Sequence, residues 1–276
     1  MNFETLLYEV VGHAAYVTLN RPSQGNALNE TMHRELLEAW QRINQDDSVW
    51  GVVIQGAGAD FCIGEDAHEI AEAYRKGGMV SRWAQDEAWL RKHTRPPIFG
   101  WPQPQDARPT KPIVTVVHGR CQGSGLMFIA NNAITLASED AEFSLPNVHQ
   151  GTAPMHELLV LSRTMARTPV LGLALLGKHE KWTAERAWEL GLVLEMLPKE
   201  KLRQRAEEIV DILLMQNAPL AVQSGFLEWW LSFDTPQGPK RDIAMTYAAE
   251  NTLTTLDFKE GPRAFAEKRK PRWNAG

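Results

Sequence analysis

The stretch that most constrains this chain runs from Lys111 to His156 (KPIVTVVHGRCQGSGLMFIANNAITLASEDAEFSLPNVHQGTAPMH). It opens with a continuous apolar run, Pro112 to Val117, the pattern of a strand buried on both faces. The run stops at His118-Gly119, and a loop of small residues, Gly123-Ser124-Gly125, leads into the apolar segment Leu126 to Ala130. The order strand, glycine loop, helix sets unpaired helix-start N–H groups beside a loop that lacks bulky side chains. Such groups can hold negative charge developing on an oxygen. A loop of this composition can equally do no more than turn the chain.

The same order occurs earlier. Residues 5–11 and 14–19 read as strands joined at Gly12-His13. Residues 20–26 form a loop by composition, and Asn29 can cap a helix over residues 30–45 whose apolar face is Met32, Leu36, Trp40 and Ile43. Residues 49–55 are expected to form a buried strand, followed by a second small-residue loop over 56–64 and a helix over 66–75. Another helix fits residues 81–92. Residues 95–112 hold six prolines and read as a surface excursion. Strand, glycine loop and helix thus appear twice, which suggests a repeated ββα-type unit and an α/β fold. Beyond His156 the spacing becomes helical over 157–165, 169–176 and 183–190, with a short strand at 192–196. Helices over 200–216, 219–233 and 242–255 follow, and the tail 257–273 is charged and partly helical.

Composition narrows the function class. A chain of 276 residues can bury a large core, and suits one large domain or a domain with a helical appendage. Hydrophobic residues make up 43% and charged residues 23%, ordinary for a soluble protein. A net charge of −5 gives no reason to expect nucleic acid or an anionic membrane as partner. The N-terminal MNFETLLYEVVGH lacks the basic start and apolar run of a signal peptide, and no apolar stretch approaches membrane-spanning length. Two cysteines, Cys62 and Cys121, make no disulfide framework and no zinc site, so a cytoplasmic enzyme without a metal is expected.

Six segments in order carry a resemblance along nearly the whole chain. They are Leu19-Asn20-Arg21-Pro22 with Asn26-Ala27-Leu28, the loop 58–66, residues 111–127, residues 141–146, Leu176-Gly177 with 184–193, and the tail from Glu260-Gly261-Pro262 to Trp273. On these the chain resembles the crotonase (enoyl-CoA hydratase/isomerase) family. The resemblance implies a crotonase-like ββα spiral core over residues 1–198 and a C-terminal helical trimerisation region over 199–276. It implies a homotrimer or a dimer of trimers. It also implies a thioester carbonyl held between two backbone N–H groups, which by position are those of Ile63 and Ser124. Coenzyme A then enters as part of the substrate, with no tightly bound cofactor. Gln24, Gly25 and Asp66 fall where relatives line the CoA channel. Phe265 and Lys268 match tail positions that meet its nucleotide end, often across a subunit boundary.

The departures decide the chemistry expected. A hydratase of this family uses two glutamates twenty residues apart; the corresponding positions here are Met127 and Asn147, neither of which can give or take a proton. Hydration by the two-glutamate route is therefore disfavoured. Three residues are candidates for the proton chemistry: Glu65 after Gly64, His149 in the connection to the next helix, and His156 at that helix start. Each also reads as an ordinary structural or solvated residue. Asn147 can orient a substrate carbonyl or carboxylate. His118 reads as structural, Cys121 as a small buried hydrophobe, and His68 and Glu69 as a solvated helix face. Trp83, Trp89, Phe99 and Trp101 can shape an apolar acyl pocket or pack on the surface. The sequence thus points to a lyase, isomerase or decarboxylase acting on a small-molecule acyl-CoA through an oxyanion-stabilised enolate. Carbon–carbon hydrolysis of a β-diketone without CoA, with His156 as the base for water, is the alternative, and a non-catalytic family member is a third reading.

Overall fold

A computed structural model describes residues 3–75, 111–233, 249 and 252–274 of the chain. The expected helix over 81–92, the proline-rich excursion and most of the helix over 242–255 lie outside the described residues, as do Trp83, Trp89, Phe99 and Trp101.

Strands β1 (Leu6–Val11) and β2 (Ala14–Leu19) form an antiparallel hairpin that turns at Gly12, where φ is +59°. Helix α1 (Glu30–Gln45) begins where the sequence places it, with the Asn29 side chain accepting the Met32 N–H. Its buried face holds the four expected residues together with Ala39 and His33. Strand β3 (Gly51–Gly56) follows, then α2 (Ala67–Arg75) and β4 (Ile113–Val117).

Three strands that the sequence pattern does not announce come next: β5 (Arg120–Gln122), β6 (Ile134–Ser138) and β7 (Glu142–Ser144). A 3-10 turn (Gly123–Leu126) and the short helix α3 (Met127–Ala130) separate the first two. Thereafter come α4 (Met155–Thr164), α5 (Arg167–Leu176), β8 (Trp182–Thr183), α6 (Ala184–Glu189) and β9 (Glu195–Leu197). Helix α7 (Lys199–Asp211) passes into a π-type turn (Ile212–Gln216), and α8 (Pro219–Phe233) and α9 (Leu256–Ala266) complete the described chain.

The strands build two sheets. The larger runs β1-β2-β3-β4-β6-β9, parallel from β2 onward; the smaller runs β5-β7-β8. The apolar run of β3 has its reason in this layering. Val52 and Ile54 join the cluster containing Trp40, Phe61 and Phe143, while Val53 packs with Val114, Val116 and Leu136 against Leu202, Ala206 and Ile209 of α7. Both faces are covered, so no polar alternation survives. Two consecutive strands of the large sheet, β3 and β4, each hand the chain to a loop at the same end. One loop leads to α2 and the other leads through β5 to the Gly123–Leu126 turn.

The C-terminal end of α1 is tied to the start of β4 by one cation. The buried Lys111 ammonium donates to the carbonyls of Ile43 and Asp46, at 2.5 and 2.6 Å. Burial pushes its pKa down while Asp46 and Asp47 push it up. Replacing Lys111 by Met leaves both carbonyls without this donor and is expected to lower unfolding free energy by about 1–3 kcal/mol, read from urea denaturation.

Candidate active site

The two loops meet backbone to backbone. Cys62 donates its N–H to the Arg120 carbonyl and accepts from the Gln122 N–H, at 3.1 and 2.9 Å, which lays residues 62–64 alongside β5. Side chains would obstruct this approach. A Cβ on Gly64 would stand 3.0 Å from the Gln122 carbonyl oxygen and 3.5 Å from the Ser124 nitrogen, and one on Gly125 would stand 2.6 Å from the Cys62 oxygen. Gly64 also has φ +95°, a conformation L side chains rarely adopt. On the other flank, Leu28 donates to the Gly64 carbonyl and accepts from Asp66 N–H, at 2.8 and 3.0 Å.

Side chains anchor this three-ply arrangement. Asn26 is fully buried, and its amide nitrogen donates to the carbonyls of Ala57 and Asp60, both at 2.8 Å. Asp60 grips Arg120 through three contacts: the backbone N–H at 3.1 Å, Nε at 2.8 Å and a terminal nitrogen at 2.7 Å. These bonds from Arg120 hold the Asp60 carboxyl below the usual carboxylate range.

Of the five amides from Cys62 to Asp66, four have partners among the described residues and one is open. Cys62 N–H goes to Arg120, and Ile63 N–H goes to the Gly25 carbonyl at 3.1 Å. Gly64 N–H is directed to the Cys62 sulfur, whose thiol burial pushes up to about 12. Asp66 N–H goes to Leu28. Among the described residues, Glu65 N–H has no partner. The expectation for Ile63 is thereby corrected: its amide is already spent on backbone, and the open amide stands two residues later. The Ser124 amide is left open by its place in the turn. Ser124 is the second residue of the 3-10 turn, so no carbonyl of that turn lies three residues behind it, and it has no other acceptor among the described residues.

Side chains add acceptors at the same place. The Glu65 Oε2 atom lies 2.9 Å from His33 Nε2, and its Oε1 atom is buried without a partner. His33, on the buried face of α1, was not singled out by the sequence because apolar periodicity ignores a lone polar residue. Asn147 is half-buried, and its Oδ1 is likewise buried without a partner. That oxygen lies 3.7 Å from where a Cβ on Gly123 would stand, and the same point is 3.8 Å from the Gly64 Cα. Met127 is buried on the first turn of α3.

His149 is exposed in the 3-10 turn Pro146–Gln150 and shares no hydrogen bond with Glu65 or Asn147 among the described residues, so it is not brought to the carboxylate. His156 is the second residue of α4, and its side chain lies outside the described residues. Asp66, expected beside the CoA channel, has its carboxylate bonded within the fold. Its Oδ2 pairs with Arg21 at 2.9 Å, and its Oδ1 accepts from the first amides of α2, those of His68 and Glu69. Burial raises its pKa, but these bonds outweigh it and the net shift is downward. Gln24 is exposed; Gly25 is buried at φ +58° with its carbonyl engaged by Ile63. Phe265 is 87% exposed and Lys268 is exposed at φ +53° on the tail. No described helix is long and apolar enough to cross a membrane.

The sequence model of the enoyl-CoA hydratase/isomerase family matches residues 11–276. The chain belongs to that family. Enoyl-CoA hydratase EchA19 of Mycobacterium tuberculosis is 30% identical over 271 residues, covering 96% of this chain and 94% of that protein. The 1,2-epoxyphenylacetyl-CoA isomerase of Escherichia coli is 26% identical over 279 residues, 98% of each. A crystal structure of an enoyl-CoA hydratase/isomerase from Mycobacterium paratuberculosis superposes with a TM-score of 0.83 at 38% identity, covering all of both chains. The enoyl-CoA hydratase/isomerase fold thus accounts for both the spiral of strands and the meeting of the two glycine-bearing loops.

The grip of Asp60 on Arg120 yields a pH-dependent expectation. The folded-state pKa of Asp60 is lowered, so its contribution is present above the ordinary value of 3.8 and is lost as pH falls through the folded value. Asp60→Asn is expected to destabilise by about 1.5–3 kcal/mol near neutrality. The gap between the two proteins should shrink as pH drops below about 4, followed by chemical denaturation across that range.

Proposed function

We propose that this protein acts on a CoA thioester by forming its enolate, with the thioester oxygen held by the amides of Glu65 and Ser124 and the proton moved by the Glu65 carboxylate. The observation that carries the reading is the buried, unpartnered Glu65 Oε1 in the one residue of its loop whose amide is also open. Glu65 Oε1 takes the proton from the carbon next to the carbonyl, and the electron pair moves onto the thioester oxygen. Two preorganised amides there contribute roughly 3 kcal/mol each when water is excluded.

A carboxylate beside an enolate would repel it if both were charged. Here the charge moves instead of doubling, because the carboxylate that accepts the proton becomes neutral as the oxygen becomes anionic. From the enolate, return of the proton to a different carbon gives an isomerase, and loss of a group from the β-carbon gives a lyase. Both need one acid/base, and this site offers one. With Met127 and Asn147 read at the two positions where family hydratases carry glutamates, the two-carboxylate hydration route is disfavoured. Asn147 Oδ1 is read as accepting a hydrogen bond from the substrate. Gln24, on the exposed side of the loop ahead of Gly25, is read as facing the CoA chain. The exposed Phe265 and Lys268 are read as meeting the nucleotide end of CoA in a neighbouring subunit of a trimer.

Enolate formation is measurable without knowing the physiological acyl group. Butyryl-CoA incubated with the protein in D2O should gain deuterium at the carbon beside the carbonyl, read by mass spectrometry. Glu65→Gln should slow that exchange by about 100- to 10,000-fold. A wild-type protein that leaves butyryl-CoA unlabelled, or a variant that labels it as fast, defeats this assignment.

A further inference from the structure

We infer that His33 is a positioning residue of this site: its ring N–H holds Oε2 of Glu65, so that Oε1 stays turned toward the substrate carbon. The inference rests on the enolate reading above and adds a residue to it from a different part of the chain.

His33 sits on the face of α1 that otherwise buries Met32, Leu36, Ala39, Trp40 and Ile43. The residue is 5% exposed, and Nδ1 has no partner among the described residues. A buried polar atom left unmet costs about 1–3 kcal/mol, so an apolar residue of similar size would serve the core better. The hydrogen bond the ring does make, 2.9 Å from Nε2 to Glu65 Oε2, joins two segments 32 residues apart in the chain. The imidazole is therefore explained by its partner and not by its packing.

The unmet Nδ1 also fixes which proton the ring carries. A proton on Nδ1 would be a buried donor without an acceptor, whereas a bare lone pair there costs less. The arrangement with lowest cost carries the ring proton on Nε2 and donates it to Glu65 Oε2. The contrast with the adjacent residue is informative. Asp66 is paired with the fixed positive charge of Arg21 and with two helix amides, and has no oxygen to spare. Glu65 has one ring nitrogen on Oε2 and nothing on Oε1. Its open oxygen is thus oriented with no arginine or lysine bonded to the carboxylate among the described residues.

Four variants test this. Against butyryl-CoA in D2O, His33→Leu should lower the maximal exchange rate about 10- to 100-fold. Its affinity for butyryl-CoA, measured by calorimetry, should stay within about threefold, and the exchange rate is read at a temperature where the variant is folded, since Glu65 Oε2 loses its donor along with the unmet Nδ1. His33→Gln, whose side-chain amide can still donate to Glu65, should recover most of the lost rate. In the wild type, a hydrogen-bonded ring N–H should appear in 15N NMR spectra and be lost in Glu65→Leu, which has no acceptor. If Glu65→Gln abolishes exchange but His33→Leu does not slow it, the positioning role is overturned while the enolate reading stands. Equal damage from His33→Leu and His33→Gln also overturns it. If the wild type shows no exchange at all, the enolate reading fails and this inference fails with it.

Discussion

Two stretches of backbone, residues 62–64 and 120–124, touch each other with almost nothing between them, and the rest of the site follows from that contact. The parallel bridge between Cys62 and Cys121 brings them together, and the absence of side chains at Gly64 and Gly125 lets them close. Once closed, four of the five amides from Cys62 to Asp66 are consumed in holding the arrangement, and the fifth is left pointing elsewhere. A preorganised donor of this kind loses little reorganisation energy at the moment of reaction, because its orientation is already fixed by the neighbours that took the other four. The buried Asn26 and the Asp60–Arg120 pair serve the same end, since each binds the loop after β3 to a segment distant in sequence.

What was legible in the chain follows from what leaves a periodic mark. Strands β3 and β4 are readable because both of their faces are covered, which makes every residue apolar. Helix α1 is readable because Asn29 caps it and one face is apolar. The β5-β7-β8 sheet was not legible: its strands are two or three residues long and show no period. That the Ile63 amide is spent on backbone is hidden from the sequence for a related reason. Along extended backbone, alternate N–H groups face the same way, so Ile63 and Glu65 look equivalent until the left-handed bend at Gly64 and the Gly25 carbonyl are known. His33 left no mark either, because what distinguishes it from a solvated helix residue is a carboxylate thirty-two positions away.

The network around Arg21 shows how the fold separates structural carboxylates from one that can react. Asp66 and Asp60 each meet an arginine and backbone amides, and both are held below the usual carboxylate range. Carboxylates so satisfied contribute to stability and make poor bases. Glu65 lies between those two residues in sequence yet has no arginine or lysine bonded to it among the described residues.

The resemblance sets Met127 and Asn147 where family hydratases carry their two glutamates, and in the proposed reaction this has an electrostatic consequence beyond the loss of two proton carriers. In a two-glutamate site at least one carboxylate remains near the thioester as negative charge builds on its oxygen. Here the buried Met127 brings apolar surface to the start of α3, and the neutral Asn147 supplies a dipole where an anion would stand. In the proposed reaction Glu65 is neutralised in the same step that charges the oxygen. In this proposal the Glu65 and Ser124 amides attract the charged oxygen, most strongly where water is excluded. A single mobile proton, shuttled by one carboxylate over a stabilised anion, suits carbon-to-carbon proton transfer or elimination. Addition of water asks for a second acid/base that these two positions cannot supply.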